Sequence, residues 1–303
     1  MSRHQQGLTR RDFIRNAAGL TVAGAAGMSV LSQKGALAQA APAKACKVVL
    51  VRDANVVDAD WKVNAEIIQR MLDDAVKELA GESDVAAAWK RFIQPTDTVG
   101  IKTNLWENLR TPAELEAAIK RRVVETGVPE NKVAVDDSGI LGNPVFQQAT
   151  ALINTRPMRT HHWSGVGTLI KNYIVFSGKP SQWHDDSCAN LAGIWDLPVC
   201  KGKTRLNILV MLTPLFHSKG PQDFNKKYTW EYKGLVVGSD PVACDATGLR
   251  ILEAKRKEFF QADEPFAVSP KHIRVAEEKY HLGVADATRI EVKKLGWAEG
   301  ILI

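Results

Sequence analysis

Short β-branched runs alternate with helical patterns along most of this chain, and that alternation leaves few folds open to it. Lys47-Val48-Val49-Leu50-Val51 has the composition of a buried strand. From Trp61 to Leu79, Ile67, Ile68, Met71, Leu72, Ala75 and Val76 recur at helical spacing. Thr98 to Lys102 reads as a strand. Thr111-Pro112-Ala113-Glu114 then opens a helix, with Thr111 as N-cap and Pro112 at the first position. Further strands are expected at Lys132–Val135, Leu206–Leu212 and Gly234–Gly238, and Asp240-Pro241 starts a helix reaching about Phe259. This pattern predicts an α/β fold: a mainly parallel, doubly wound sheet with helices on both faces. Ligand-binding residues of such sheets gather outside the strands' carboxyl ends, and Asn104, Asp136, Asp137 and Ser138 fall just past expected strand ends. The polar stretch 213–232 is expected to be a surface loop near that rim.

Residues 1–40 read differently. Thr9-Arg10-Arg11-Asp12-Phe13-Ile14-Arg15 is a twin-arginine signature, followed by an uncharged small-residue run from Asn16 to Ser32 and by Ala36-Leu37-Ala38-Gln39-Ala40. The order is that of an export signal with a cleavage site. It predicts a periplasmic protein, exported already folded by the twin-arginine machinery, with no membrane anchor after cleavage. Residues 41–303 are then expected to form a single α/β domain, with a division into two subdomains near 155–200 left open. The signal holds Arg3, Arg10, Arg11, Arg15 and Lys34 against Asp12, so the chain's +6 falls to about +2 once it is removed. The alkaline balance therefore gives no support to nucleic acid as a partner. None of the four cysteines sits in a C-x-x-C pair, which argues against an iron–sulfur cluster or a zinc ribbon. In an oxidising compartment Cys188 and Cys200 could close a short disulfide loop; buried free thiols are the alternative.

The densest group of reactive side chains lies between Arg159 and Asp186. It includes His161, His162, Lys171, Asn172 and His184, with Ser164, Gly165 and Gly167 between them. Imidazoles beside carboxylates suit proton transfer or metal binding. A lysine flanked by Leu169, Ile170 and Tyr173 is a candidate for desolvation, which lowers its pKa and makes it a nucleophile or base. A surface loop with scattered polar groups is the plainer alternative. Adjacent His161 and His162 would point to opposite faces if on a strand. Asp240 reads as an N-cap, whereas Asp245, inside an apolar helix start, is a candidate for facing the site. Lys102-Thr103-Asn104 is either an anion-binding corner or a solvated strand end. Asp136-Asp137-Ser138-Gly139 offers paired carboxylates for a cation, or simply a turn. No phosphate-binding loop and no nucleophile elbow is present.

Six segments in order resemble one family: Val99–Asn104, Thr111-Pro112, Val135–Ser138, Arg159–His161, Thr168–Asn172 and Gly238–Ala246 are similar to the family called domain of unknown function 362, over roughly 47–255. The family usually has lysine where Arg159 stands and often glycine at Val135. A more distant similarity is to nickel-pincer lactate racemases, through His161, Ser164-Gly165, Lys171 and His184. There a lysine anchors an organometallic cofactor, and histidines act as ligand and acid/base. The combined expectation is an enzyme with His161, Lys171 and His184 as central groups. Lys102, Asn104, Asn172 and Ser138 would bind a small-molecule ligand, and Asp136, Asp137, Asp245 and His162 would hold a divalent metal. The alternative is a non-catalytic ligand- or metal-binding accessory protein, with Trp106, Trp163, Trp183 and Trp195 as aromatic walls.

Overall fold

The computed structural model describes residues 45–303; the twin-arginine segment lies outside them. In chain order the strands are β1 (Cys46–Arg52), β2 (Val99–Lys102), β3 (Val133–Asp136), β4 (Ala151–His161), β5 (Gly165–Gly167), β6 (Thr204–Leu215), β7 (Gly234–Gly238) and β8 (Ile290–Gly296). They form one sheet in the order β3-β2-β4-β6-β7-β1-β8, with β5 added to the end of β4. All long pairings are parallel except those of β7, which runs antiparallel to both β6 and β1. The fold is the expected α/β class, mixed but mostly parallel. Central β4 was not foreseen as a strand, and neither was β8.

Helices cover both faces. α1 (Ala65–Ala80), α2 (Val85–Lys90) and α3 (Ala113–Glu125) pack on one side. There Ile68, Leu72 and Ile119 meet Val49, Ile101, Ile153 and Ile208. Full burial of each such side chain stabilises by roughly 1.5–3 kcal/mol. α1 begins at Ala65 rather than Trp61 because Asn64 caps it, accepting from Glu66 and Ile67 N–H at 3.1 Å. The helix start at Thr111-Pro112 also differs from expectation. Pro112 is the cap, without a side-chain bond, and the Thr111 hydroxyl instead accepts from Asn104 N–H.

The opposite face carries the one-turn helices α4 (Pro144–Gln147) and α5 (Leu169–Asn172), the long α6 (Pro241–Phe260) and α7 (His272–Glu278). Asp240 caps α6 as expected, accepting from Val242 and Ala243 N–H at 2.8 and 3.0 Å. Because β7 is reversed, its last residue, Gly238, pairs with Val48 and Asn207 near the amino ends of β1 and β6, and the Asp240 cap follows two residues on. On this face a polar row crosses the sheet: Asp136, Lys102, Asn154 and Asn207 are direct neighbours on β3, β2, β4 and β6. Just beyond, the β4–β6 register slips between Pro157 and Arg159. Proline offers no N–H to the ladder, and a bulge there re-aims the residues that follow.

Candidate functional site

The polar row begins as a closed network. Lys102 is fully buried, not a solvated strand end. Its Nζ donates to Asp137 Oδ1 at 2.5 Å, to Thr103 O at 2.7 Å and to Asn172 Oδ1 at 3.4 Å. Asn172 also accepts from Asn104 Nδ2 and donates to Asn154 Oδ1 at 2.9 Å and Thr155 O at 3.1 Å. Asn154 continues to Leu169 O and Asn207. Burial pulls the Lys102 pKa down to about 8, against the opposing pull of Asp137. Burial pushes Asp137 upward, but Lys102 and the Leu105 N–H outweigh it and hold the carboxyl below its usual range. Lys102, Asn104 and Asn172, expected to contact a ligand, thus spend most of their capacity on one another.

Beyond this network the sheet edge becomes positive and poorly partnered. Lys171, on α5, is 3 % exposed, and the only hydrogen-bond partner of its amine among the described residues is Cys188 Sγ at 3.8 Å. Burial lowers its pKa to about 8; Cys188 resists this, while Arg156 and Arg159 add to it. Arg159 donates to Leu109 O and Asn104 Oδ1, both at 2.8 Å, and lies 5.6 Å from the Trp106 ring. α5 itself is held by Asp245, whose two oxygens accept from Leu169 and Ile170 N–H at 2.9 Å. Burial raises the Asp245 pKa to about 7 despite those bonds. Thr168, just before α5, meets His272 Nε2 at 3.1 Å.

The histidines flank the lysine. β4 ends at His161 and the chain turns at once, so His161 and His162 do not diverge to opposite faces. Their rings stack at 4.7 Å, and Trp163 packs on His184 at 4.0 Å. His161 Nδ1 accepts the Trp163 backbone N–H at 3.2 Å, which leaves the proton of the neutral ring on Nε2. Burial, then the charge of Lys171, pushes the His161 pKa far below its ordinary value, and the same two causes bring His184 to about 4. Both rings are therefore neutral near neutrality. A cavity of about 260 Å³ borders His161, between Gly165, His217, Lys219 and Arg256.

Several expectations need correction. Among the described residues no group of three or more His, Cys, Asp or Glu side chains is placed to hold a metal ion. Asp136 serves a turn, accepting from Gly139 N–H and Asn143 Nδ2. Asp137 is taken by Lys102 and Asp245 by the start of α5, and His162 stands in the imidazole stack. The donor set does not fit a protein-held divalent ion. Ser138 is exposed in the same turn. Cys188 and Cys200 do not pair; both are free and buried. Cys188 reaches Lys171 through three consecutive left-handed residues, Asp186, Ser187 and Cys188 itself. Trp195 is buried against Tyr173, and its indole N–H donates to Ile170 O at 3.3 Å, beside Lys171 in the chain.

Arg156, Asn154, Cys188 and His272 were missed. One signal was available: Asn154 and Arg156, two apart, place polar groups on one face just after the apolar start Ala151-Leu152-Ile153.

Fold and site together define an α/β protein with a cation-rich polar centre at the carboxyl edge of its sheet. Residues 127–250 match the model of the family described as Domain of unknown function (DUF362), a span from just before β3 to the middle of α6. That span includes Asp137, Arg156, Lys171, His184 and Asp245; Lys102, Asn104 and His272 lie outside it. No curated protein and no solved structure matches the chain.

Proposed function

We propose that this protein is an exported periplasmic enzyme that uses the Lys171 amine as base or nucleophile on a small molecule. The observation that carries the proposal is Lys171 itself, a buried amine with a pKa near 8 and no carboxylate partner among the described residues. Roughly a tenth of it is free amine near neutrality, against less than a thousandth for an ordinary lysine. The roles divide accordingly. His161 has its Nδ1 lone pair occupied, so it acts as a neutral hydrogen-bond donor through Nε2 toward a developing negative oxygen. Lys171 takes the proton, or attacks a carbonyl carbon to give an imine and water. His184 supplies a second neutral imidazole beside it. The similarity to nickel-pincer racemases rests on these same three residues, but no step here passes through such a cofactor. The twin-arginine sequence supports passage through that export machinery, and neither nucleic acid nor a membrane anchor enters the proposal.

Mass spectrometry of Lys171 acylation against pH tests the central point. Half-maximal labelling is expected near pH 8. A midpoint at the ordinary lysine value of 10.5 would remove the base or nucleophile. The exposed Trp163 over His184 also favours a second possibility, capture of a ligand without turnover. A small molecule recovered unchanged after prolonged incubation with protein that labels normally would favour binding.

A further inference from the structure

Four arginines of the described chain are almost fully buried, and three have evident structural employment. Arg52 donates to Tyr232 O, Trp297 O and Glu299 O. Arg256 donates to Phe216 O, Glu264 O and Pro265 O. Arg159 has Leu109 O and Asn104 Oδ1. Arg156 is 4 % exposed and donates to no acceptor among the described residues; its Nε is buried and unpartnered. A buried guanidinium without an acceptor loses several kcal/mol of hydration with nothing in return.

The surroundings deepen the imbalance. Two carboxylates act on Arg156 through space, Asp137 and Asp245. Asp137 is already bonded to Lys102 and Leu105 N–H, and Asp245 to the two amides of α5. Against these two acids stand Lys102, Arg156, Arg159 and Lys171, all at most 4 % exposed. The local charge is short of at least one anion, more when Asp245 is protonated. The backbone is also shaped around the guanidinium. A Cβ on Gly167 would lie 2.7 Å from Arg156 Nη2 and 3.3 Å from its Cζ, so any larger residue there would have to displace the guanidinium.

We propose that Arg156 is the anchor for an oxyanion group of the ligand, a carboxylate or a phosphate, held beside Lys171. A guanidinium offers paired, coplanar N–H donors that match two oxygens of either group, and the added negative charge offsets the buried cations. The ligand class narrows to small anionic molecules. The proposal takes only its location from the Lys171 chemistry above; the acylation midpoint of Lys171 and the anion response of Arg156 can fail separately.

The test uses the mature chain in thermal-shift and calorimetric titrations with inorganic phosphate and with acetate, each compared with chloride at equal ionic strength. At least one of the two should raise the melting temperature above chloride. Response to phosphate alone indicates a phosphoryl group, and response to acetate alone a carboxylate; either supports the proposal. Arg156→Met should weaken that affinity on the order of tenfold or more. It should melt no lower than the parent without anion, because it removes an unpaired buried charge. If Arg156→Met does not fold, phenylglyoxal labelling of Arg156 in the unaltered protein decides, with protection by the effective anion expected. Neither anion surpassing chloride, an unchanged response in Arg156→Met, or labelling without protection would overturn the proposal.

Discussion

Lys102 and Lys171 are two buried lysines on the same face of one sheet, both brought to a pKa of about 8 by burial, and they do opposite things. Lys102 has a carboxylate at 2.5 Å, a carbonyl and an amide. Its network reaches across β2, β4 and β6, and every member gains from staying put. Lys171 has a thiol at 3.8 Å and two guanidinium groups near enough to repel it. Equal pKa values thus hide different designs. A satisfied buried cation is scaffold, whereas an unsatisfied one is held in place by the rest of the fold at a cost in stability, which marks it as a candidate for function.

The largest effect should come from opening the closed side. Asp137→Asn leaves Lys102 buried without its counter-ion, and breaking a buried pair in this way typically costs about 3–5 kcal/mol. Urea denaturation should show the loss. A change under about 1 kcal/mol would mean that the Lys102 network is no more structural than the Lys171 cluster, and the contrast would fail.

Acid should act next most strongly, and on the open side. Burial lowers His272 to about 3 and His184 to about 4, each from 6.5. Between those values and 6.5 the unfolded chain binds more protons, so stability rises with pH there and falls as pH drops below 6.5. Asp245 works the other way. Its pKa is raised from 3.8 to about 7, so its neutral form favours the folded state at low pH, and that contribution fades as pH rises through 7. The lowered histidines, His161 among them, outnumber it, and net stability should fall on acidification from 6.5 toward 4. Denaturation midpoints across that interval check the sign, and His272→Met should flatten the slope. A midpoint that rises on acidification would show the carboxyls raised by burial, Asp245 with Glu116, Asp240 and Glu253, to dominate.

Lys171→Met should be milder still. Removing an unpaired cation from among other cations is expected to change stability by less than about 1 kcal/mol, or to increase it. The same substitution at Lys102 should destabilise severely. Comparable losses at both positions would break the distinction between them.

This contrast also explains what could be read from the sequence. The strands β1, β2, β6 and β7 announce themselves as continuous apolar runs, α1 by its periodic apolar face and α6 by its Asp240-Pro241 cap. β4 is the longest strand on the site's side of the centre, yet it reads as irregular. Its Asn154, Arg156, Arg159 and His161 are the site, and Pro157 makes its bulge. The polar residues of the candidate site break the periodicity that would have revealed the strand. Lys171 and His161 could be singled out as chemically interesting from their neighbours. The division of Asp136, Asp137 and Asp245 among a turn, an ion pair and a helix start could not, since each depends on partners dozens of residues away. The choice left open between a Cys188–Cys200 disulfide and buried free thiols falls to the thiols for a similar reason: sequence proximity says nothing of the left-handed turn that delivers Cys188 to Lys171.

The smallest effect separates two causes within the open cluster. Trp163 is 46 % exposed, and its ring covers His184 at 4.0 Å, whereas its backbone N–H holds His161 Nδ1. Trp163→Ala should therefore leave His161 neutral, because the backbone bond persists and His161 is buried on β4. His184 loses its cover. Burial is the largest cause of its lowered pKa, ahead of the Lys171 charge, so its titration should climb from about 4 toward 6.5. Stability should change by no more than about 0.5 kcal/mol for a side chain this exposed. Two-dimensional NMR of the imidazole protons against pH measures both histidines at once. If His184 stays near 4, the charge of Lys171 rather than the tryptophan cover holds it there, and Trp163→Ala combined with Lys171→Met should then release it.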